Sequence, residues 1–487
     1  MHWLQEFSAT LQPKVIKCCD NMKDRQTKKA SITVYLSLIL LILISIMAQV
    51  MQEAMFQADR MKVFSAMDIS LNAVLSEYCT ELVEQYGVFF VDSSNETIAS
   101  RLDYYMYKNI QEQSGMLQMQ LIDTEITKVM LATDDNGTVF LKEAIKAYQE
   151  RIAAETIEKA LEQSKKYKEA EKSRKTIEEN QVEPADLEIP QDIEVDKEEK
   201  EKAEKVVNPV EVINALKANG LLAIVASDLD ISSNSIDLNT TLQKRTLQKG
   251  NVQEKENVSV LEKTVFDLYI KDQFSSFGNE KKKDGVSGLK YEIEYMIAGK
   301  GGDKENLTGV LEKVLWIREG INFAYLLTDK VKLAEAEALA TALVGYTGIM
   351  PLITAMKFAI LAVWAYGESL LEVRILLTGG KVNFEKSKEN WKLELSELAN
   401  ISQIVKGKSK DDERGLSYEE YLWILLTASS TESKCYRSMD LIEKKIQSVT
   451  NVASFRMDLC VAYIEGKVLA VSRSGREIAV LKAIKYG

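Results

Sequence analysis

The sequence predicts a predominantly helical α+β protein with one N-terminal transmembrane helix, which continues as an amphipathic helix into a mixed outer domain with a small sheet. Three features lead to this prediction: an uncharged run near the start of the 487 residues, helically spaced apolar residues after it, and short alternating segments further along. A chain of this length can bury a core without a disulfide scaffold.

The uncharged run extends from Ala30 to Met51 and includes Tyr35, Leu40 and Ile44. As an α-helix it spans about 33 Å, which is enough to cross a hydrocarbon core of roughly 30 Å. A cleaved signal peptide has an apolar core of only about 7–15 residues, and a buried helix of a soluble protein is rarely apolar on every face. We therefore expect an uncleaved membrane anchor.

The charges around this run predict its orientation. Residues 1–29 carry six basic and three acidic side chains, with Lys28 and Lys29 directly before the run, whereas Glu53 and Asp59 follow it. Positive residues favour the cytoplasmic side, so we expect a single-pass protein of the cell membrane with a cytoplasmic N-terminus and a large extracytoplasmic region. Since the whole chain carries −11 and its first 29 residues +3, the remainder carries −14. This charge argues against nucleic acid as a partner, because such binding relies on basic patches.

An apolar stripe follows the membrane run at spacings of three and four residues, which predicts that the helix continues to about Tyr86 and ends at Gly87. A short strand is expected at Val88–Val91. The stripe either packs on the protein's own globular part or on neighbouring copies or related proteins, so a homo-oligomer stays open. Its members are Phe64, Met67, Leu71, Val74, Leu75, Tyr78 and Leu82.

Composition divides the chain into five parts. We expect a basic cytoplasmic leader at 1–29, the transmembrane helix at 30–51, the amphipathic helix and the start of the outer domain at 52–140, a charged helix and linker at 141–209, and the main outer α+β domain at 210–487. The linker prediction rests on Pro184, Pro190 and Pro209 and on the charged run 196–205, since proline interrupts helices and like charges repel.

Within the main domain, helices are expected at Val210–Ala226 and, with Asp303 as its cap, at Leu307–Leu327. The alternation of Tyr291–Ile297 (YEIEYMI) predicts a half-buried strand that exposes Glu292 and Glu294.

The apolar stretch Ala338–Gly367 is read as a buried helical hairpin in preference to a second membrane crossing. Gly348 and Pro351 divide it into core-helix lengths, and Lys357 at the centre of a bilayer would cost roughly 3 kcal/mol. Near the C-terminus, Ser417 has capping-box spacing before a helix that ends near Ala428. Residues 456–464 and 467–472 resemble two strands joined around residues 465–466.

Histidine and cysteine usage excludes several enzyme classes. His2 is the only histidine and lies on the expected cytoplasmic side, so the outer region has no Ser-His-Asp triad, Cys-His dyad or His-based zinc site. Of five cysteines, Cys435 and Cys460 either pair or remain buried thiols, and Cys79 is left over.

Three segments contain residue types found in functional sites. Ala298–Asp303 (AGKGGD) lacks the glycine spacing and the hydroxyl residue of a phosphate loop, which favours a turn. The alternating polar residues of Asp228–Asn234 lack the glycine and closing glutamate of a calcium loop, which favours an ordinary polar loop. Glu292 and Glu294 without a histidine or metal motif are weak evidence for acid–base chemistry. We therefore expect no catalytic residue, no metal site and no cofactor.

The anchor and its flank (KKASITVYLSLILLILISIM and LSEYCTELVEQYGVFFVD), together with YEIEYMIAGKGGDKENL, LWIREGINFAYLL and GLSYEEYLWILL, resemble an uncharacterised family. Its members are single-span exported proteins of anaerobic Gram-positive bacteria associated with tight-adherence (Tad) type IV pilus systems. The N-terminus is similar to that of pseudopilins, although Val34 stands where that class has a glutamate that registers subunits. The resemblance implies an uncleaved accessory protein more than a major pilin.

The function expected from these features is that of a non-enzymatic, membrane-anchored envelope protein, an accessory or minor pseudopilin-like component of a Tad-type pilus, secretion or adhesion apparatus. Its partners would be the cytoplasmic membrane and other pilus or envelope proteins. The alternative is a membrane-tethered hydrolase or carbohydrate-binding protein that uses carboxylates. A sensor is a third possibility, although 29 cytoplasmic residues leave little room for an output domain.

Overall fold

The computed structural model describes residues 24–94, 96–112, 119–149, 156–157, 206–252, 257–281, 288–407, 412 and 414–486. Most of the predicted leader (1–23) and of the charged segment (150–155 and 158–205) lies outside the described residues. The side chains of Lys28, Lys29 and Ala30 also lie outside this description.

The first helix, α1, runs from Asp24 to Ser76, and a second helix, α2, follows at Thr80–Tyr86. The prediction of one helix as far as Tyr86 is therefore wrong, because the chain breaks at residues 77–79, where the Cys79 N–H donates to the Phe90 carbonyl (3.0 Å). Gly87 does end the helix: its φ of +73° is left-handed, and its N–H donates to the Val83 carbonyl (2.9 Å). The next strand, β1, is shorter than predicted and covers Val91–Asp92.

The described part of the chain forms two compact units. The α1 unit comprises residues within Met1–Ile69, Met106–Thr124 and Val468–Val480. The main unit comprises residues within Ser70–Tyr105, Glu125–Lys467 and Leu481–Gly487.

The other α-helices of the described residues follow in chain order. They are α3 (Ile98–Tyr107), α4 (Asp134–Gln149), α5 (Pro209–Lys217), α6 (Leu221–Val225), α7 (Val260–Gln273), α8 (Glu292–Ala298), α9 (Asp303–Thr328), α10 (Lys330–Val344), α11 (Met350–Leu377), α12 (Ile401–Ile404), α13 (Tyr418–Ala428) and α14 (Thr431–Thr450). The helix expected at Val210–Ala226 is thus two helices, separated at Gly220, whose φ is +78°.

The hairpin predicted for Ala338–Gly367 is confirmed. Helices α10 and α11 pack on each other, and α11 also packs on α9. Most residues of α11 are buried, including Trp364 at 0% exposure, and its indole donates to the Leu393 carbonyl (2.9 Å). Lys357 pairs with the exposed Glu337 of α10 across 3.3 Å. By length and composition alone α11 also qualifies as a membrane span, but just over half of its most apolar window is buried inside the protein.

A buried charge cluster joins α9, α11 and the loop after α11. Arg318 forms a two-pronged ion pair with Glu372 (2.8 Å for each bond), and Lys386 bridges Glu372 (2.8 Å) and Glu368 (2.5 Å). The side chains of all four are at most 2% exposed. Burial opposes ionisation of Glu372, but Arg318 and Lys386 outweigh it and hold its pKa at about 2. The cluster therefore carries charge inside the core, where each ion depends on its partners.

Within the part of the chain that the structure describes, the sheet has four strands: β1, β2 (Gln120–Leu131), β3 (Cys460–Val471) and β4 (Glu477–Lys485). Strand β3 lies between β1 and β2 in the order, and β4 also pairs with β3. The prediction of two strands joined near residue 465 is wrong, because β3 continues through Glu465, whose carboxylate accepts bonds from Thr127 (2.8 Å) and Lys128 (3.2 Å) of β2. The turn comes later, at residues 472–476.

The segment Tyr291–Ile297 corrects a second strand prediction. It forms helix α8, and Tyr291 to Ile297 are all buried. Alternation of apolar and polar residues indicates a strand only when one side of the segment is exposed to water. Here both sides of the segment are buried, so the alternation does not report a strand. Asp303 is also not a cap of α9, since its carboxylate accepts from the backbone N–H groups of Lys290 and Tyr291 (3.1 Å each).

Other predictions hold. The Ser417 hydroxyl and the Glu420 carboxylate form the predicted capping box at the start of α13, which ends at Ala428. The fold class is predominantly helical α+β with a small antiparallel sheet and a long apolar N-terminal helix, as predicted.

The buried cluster predicts a large difference between two ion pairs of α11. Glu372→Gln should lower the free energy of unfolding by about 3–5 kcal/mol, because Arg318 would stay buried without its counter-charge. Glu337→Gln, which removes the exposed partner of Lys357, should change it by less than about 1 kcal/mol. Urea unfolding of the detergent-solubilised chain, followed by tryptophan fluorescence, measures both. Equal effects would contradict a structural role for the buried pair.

Candidate functional site

The exposed apolar part of α1 is the first candidate site. Every described side chain from Ile32 to Met51 is exposed, and its large apolar side chains range from 37% exposure at Ile39 to 72% at Met47. The predicted anchor residues Tyr35, Leu40 and Met51 are among them. Exposed apolar surface around a whole helix is stable only in an apolar environment such as lipid. This segment is therefore compatible with a membrane anchor.

The residues of the predicted packing stripe divide by exposure. Met67, Leu71, Val74, Leu75 and Leu82 are buried, whereas Phe64 is 43% and Tyr78 37% exposed. The break after Ser76 explains Tyr78, because that residue no longer follows the helical phase of α1. Buried neighbours that the spacing missed include Val63 and Ala66.

Two arginines of the β3–β4 turn contact α1 within the α1 unit. Arg473 binds Asp59 through its Nε (2.9 Å) and Nη2 atoms and through its backbone N–H (3.2 Å). Arg476 donates from Nη1 to Glu53 (2.8 Å), and its guanidinium lies 3.5 Å from the centre of the Phe56 ring. Hydrogen bonds from Arg476 and Gln57 lower the pKa of Glu53. The turn is thus held against α1 just beyond its apolar run.

A groove of about 600 Å³ lies on the main unit beside α9 and the end of α13. Trp316, with 55% exposure, stands in it beside Lys313, Glu312 and Lys300. The Lys313 ammonium donates to the Ile297 carbonyl (3.2 Å), and partial burial and the nearby Arg437 lower its pKa. The rest of the lining is small or apolar: Ala298, Gly309, Ile317, Leu425, Ala428 and Ser429. Its size is within the range of ligand pockets.

Glu292 and Glu294, the candidate acid–base pair, accept hydrogen bonds from neighbouring segments of the chain. The Glu292 carboxylate accepts from the Ser275 N–H (2.8 Å). The Glu294 carboxylate accepts from the Phe277 N–H (2.9 Å) and the Tyr418 hydroxyl (3.0 Å), while its Oε2 lies buried without a partner in the described part of the chain. Burial raises the pKa of Glu294 to about 7.

The AGKGGD segment is the turn that its spacing indicated, although it joins two helices instead of a strand and a helix. The Gly299 N–H caps α8 at the Tyr295 carbonyl (2.7 Å), and the Lys300 N–H donates to the Asn306 side chain (2.7 Å). These donors are occupied, so they do not form an open phosphate cradle.

The Asp228–Asn234 segment is a polar loop, as predicted. Asp228 pairs with Arg374 (2.7 Å), and the Ser232 N–H donates to the Tyr291 hydroxyl (2.9 Å). Among the described residues, no group of three or more His, Cys, Asp or Glu side chains is arranged to hold a metal ion.

The three cysteines in the described part of the chain are free thiols. Cys435 and Cys460 are buried and Cys79 is half-buried. Burial raises the pKa of the Cys435 thiol to about 12, which is typical of an inert structural cysteine. The alternative of free thiols, left open by the sequence, is therefore the one observed.

The comparisons with known proteins give one family. A model of a family of unknown function (DUF5702) matches residues 197–470, more than half of the chain. The chain belongs to the DUF5702 family. No curated protein and no solved structure matches it. The DUF5702 segment contains the groove, the buried charge cluster and Glu294, whereas the apolar part of α1 and the arginines of the β3–β4 turn lie outside it.

Sequence reasoning missed Trp316, Arg473 and Arg476. The two arginines flank Ser474 and Gly475, a dipeptide that marks turns, and this signal would have placed the hairpin turn correctly. Trp316 follows the helical spacing of α9 and has no signal in the sequence that separates it from a core residue.

The raised pKa of Glu294 predicts that the free energy of unfolding depends on pH. Its pKa in the folded chain, about 7, exceeds the ordinary value of 4.5. The folded state therefore holds a proton that the unfolded state releases, and stability falls as pH rises through this window, by up to about 3 kcal/mol. Glu294→Gln should remove that component, so the difference between wild type and variant should change between pH 5 and pH 8.

Urea unfolding of the detergent-solubilised chain at several pH values measures this difference. Glu312→Gln, at an exposed position of the groove, is the matched control and should leave the pH profile unchanged. Parallel profiles for wild type and Glu294→Gln would contradict the prediction.

Proposed function

We propose that this protein is a single-pass, membrane-anchored protein of the cell envelope with its N-terminus in the cytoplasm. In this proposal it catalyses no reaction and serves as an accessory component of a Tad-type pilus, secretion or adhesion apparatus. The observation that carries the proposal is the exposed apolar surface of α1 from Ile32 to Met51.

Charge and sequence support the finer parts of the proposal. Lys28 and Lys29 precede the apolar run and Glu53 follows it, which favours the orientation with the main unit outside. The resemblance of the anchor and its flank to exported proteins of pilus systems supports the apparatus.

Protease treatment of intact cells tests the orientation. A tag placed after Gly487 should be digested by protease added to whole cells, because the main unit is expected outside the membrane. A cytoplasmic marker protein in the same cells should survive. A tag protected in whole cells and lost only after lysis would mean that the orientation is inverted.

Chemical crosslinking in the same cells tests the apparatus. We expect pilus or envelope proteins to be recovered with the tagged chain. Recovery of the chain alone, with the tag accessible, would contradict the apparatus role while leaving the membrane anchor intact.

A second proposal, favoured by the groove beside Trp316, is that the main unit binds carbohydrate. A half-exposed indole offers a flat apolar face, and Lys300 and Glu312 supply charged groups for hydroxyls beside it. Glu292 and Glu294 are buried and accept backbone hydrogen bonds, so the proposal is directed at binding and not at hydrolysis.

Trp316→Ala tests this second proposal. We expect binding of the solubilised chain to immobilised cell-wall glycans to fall by tenfold or more, about 1.4 kcal/mol, because the stacking face is lost. Leu327→Ala is the control, since Leu327 is a 39% exposed residue of the same helix outside the groove. Equal binding by wild type and Trp316→Ala would exclude the groove as the carbohydrate-binding site.

A further inference from the structure

The turn between β3 and β4 lies at a defined height along α1. Glu53, the partner of Arg476, is two residues beyond Met51, or about 3 Å further along the helix axis. Asp59, the partner of Arg473, is eight residues beyond Met51, or about 12 Å. The height of the turn is therefore set by the same helix that carries the apolar run.

These heights can be compared with the layers of a bilayer. The apolar run of about 33 Å fills the hydrocarbon core of roughly 30 Å, and a headgroup layer of about 5–7 Å lies on each side. Arg476 therefore falls within the headgroup layer, and Arg473 lies about 5–7 Å beyond its outer edge. This comparison rests on the proposed membrane anchor.

The chemistry of Arg476 fits that layer. A guanidinium has five N–H donors, and Glu53 receives a bond from Nη1. The side chain is 51% exposed although it lies over the Phe56 ring, so donors remain towards the surroundings. Guanidinium groups bind phosphate through paired hydrogen bonds. The neighbouring residues 473–475 are also exposed.

Arg473 has a different part in this arrangement. Its partner Asp59 is 2% exposed, and the pair includes a backbone bond from Arg473, so it fastens the turn to α1. The turn closes on itself through Ser472, which accepts from the Gly475 N–H (2.9 Å) and the Arg476 N–H (3.1 Å). Arg473 thus holds the turn against α1, while Arg476, at the end of the turn, remains half-exposed.

We propose that the β3–β4 turn, residues 472–476, rests on the membrane surface and that Arg476 binds the phosphate group of a phospholipid headgroup. The turn is then a second contact with the bilayer, in addition to α1. Anionic phospholipids are the preferred ligands, because they add a net negative charge to the phosphate.

Quenching by a headgroup-attached spin label tests the position of the turn. A cysteine introduced at Gln52, Ser474 or Ser65 carries a fluorophore in the full chain, in vesicles of phosphatidylcholine and phosphatidylglycerol. Cys18, Cys19 and Cys79 are replaced by serine, and the buried Cys435 and Cys460 are kept. Ser65 is exposed on α1 about 21 Å beyond Met51. We expect Ser474→Cys to be quenched about as strongly as Gln52→Cys and severalfold more strongly than Ser65→Cys.

The outcomes separate this inference from the proposed function. If Gln52→Cys is not quenched, α1 is not in the bilayer and both proposals fail. If Gln52→Cys is quenched but Ser474→Cys is no more quenched than Ser65→Cys, the anchor stands and the turn contact is wrong.

Lipid retention tests the phosphate site itself. Native mass spectrometry of the full chain released from mixed vesicles should show phosphatidylglycerol retained severalfold less by Arg476→Gln than by wild type. Lys62→Gln, which removes a positive charge elsewhere on α1, should retain the wild-type amount. Equal losses in both variants would indicate general charge attraction and overturn the specific site. Displacement of the lipid by excess inorganic phosphate would assign the site to free phosphate and overturn the lipid assignment.

Discussion

The apolar surface of α1 is the constraint on which the organisation of this protein depends. Burial of a large apolar side chain contributes about 1.5–3 kcal/mol relative to exposure in water. From Ile32 to Met51 the described side chains are exposed, so this contribution is not supplied by the protein's own fold. In the proposed membrane anchor a lipid environment supplies it, and every part of the chain after Met51 then begins at a membrane surface. The charged contacts of Glu53 and Asp59 start within three turns of that point.

Two apolar helices of this chain differ in burial: the apolar run of α1 is exposed, whereas most of α11 is buried. The charged residues of the two helices explain this difference. The apolar run of α1 has no charged residue, whereas α11 carries Lys357, Glu368, Glu372 and Arg374. In α11 these charges have partners from the polypeptide: Arg318 and Lys386 for the two glutamates, Glu337 for Lys357, and Asp228 for Arg374. Partners of this kind lie on other elements of a folded unit, and lipid offers none of them. Hydropathy alone therefore ranks α11 as a membrane candidate, while its ion pairs identify it as a core helix.

The sequence was sufficient for features that depend on local pattern. The hairpin divided at Gly348 and Pro351, the capping box of Ser417 and the left-handed helix stop at Gly87 follow from residues near one another in the chain. The predictions failed where contacts between residues far apart in the chain determine the secondary structure. Alternation in Tyr291–Ile297 suggested a strand, but Ser275 and Phe277 donate their N–H groups to Glu292 and Glu294, which lets both carboxylates be buried in a helix. Likewise Glu465 stays within β3 because Thr127 and Lys128, over 330 residues earlier, bind it.

The position of the β3–β4 turn bears on how α1 is oriented. Glu53, Phe56 and Asp59 are spaced by three residues and therefore lie along one face of α1, and Arg476 and Arg473 contact that face. A single helix in a bilayer is free to rotate about its axis and to tilt, and its flanking anchors decide both. A turn fastened to one face adds a contact on one side of the helix. If that contact meets the membrane surface, tilting α1 away from the turn lifts the turn from the headgroups, tilting α1 towards the turn presses it into the hydrocarbon, and both cost free energy. The pair of Arg473 with the buried Asp59 then restrains the tilt of α1 as well as the place of the turn.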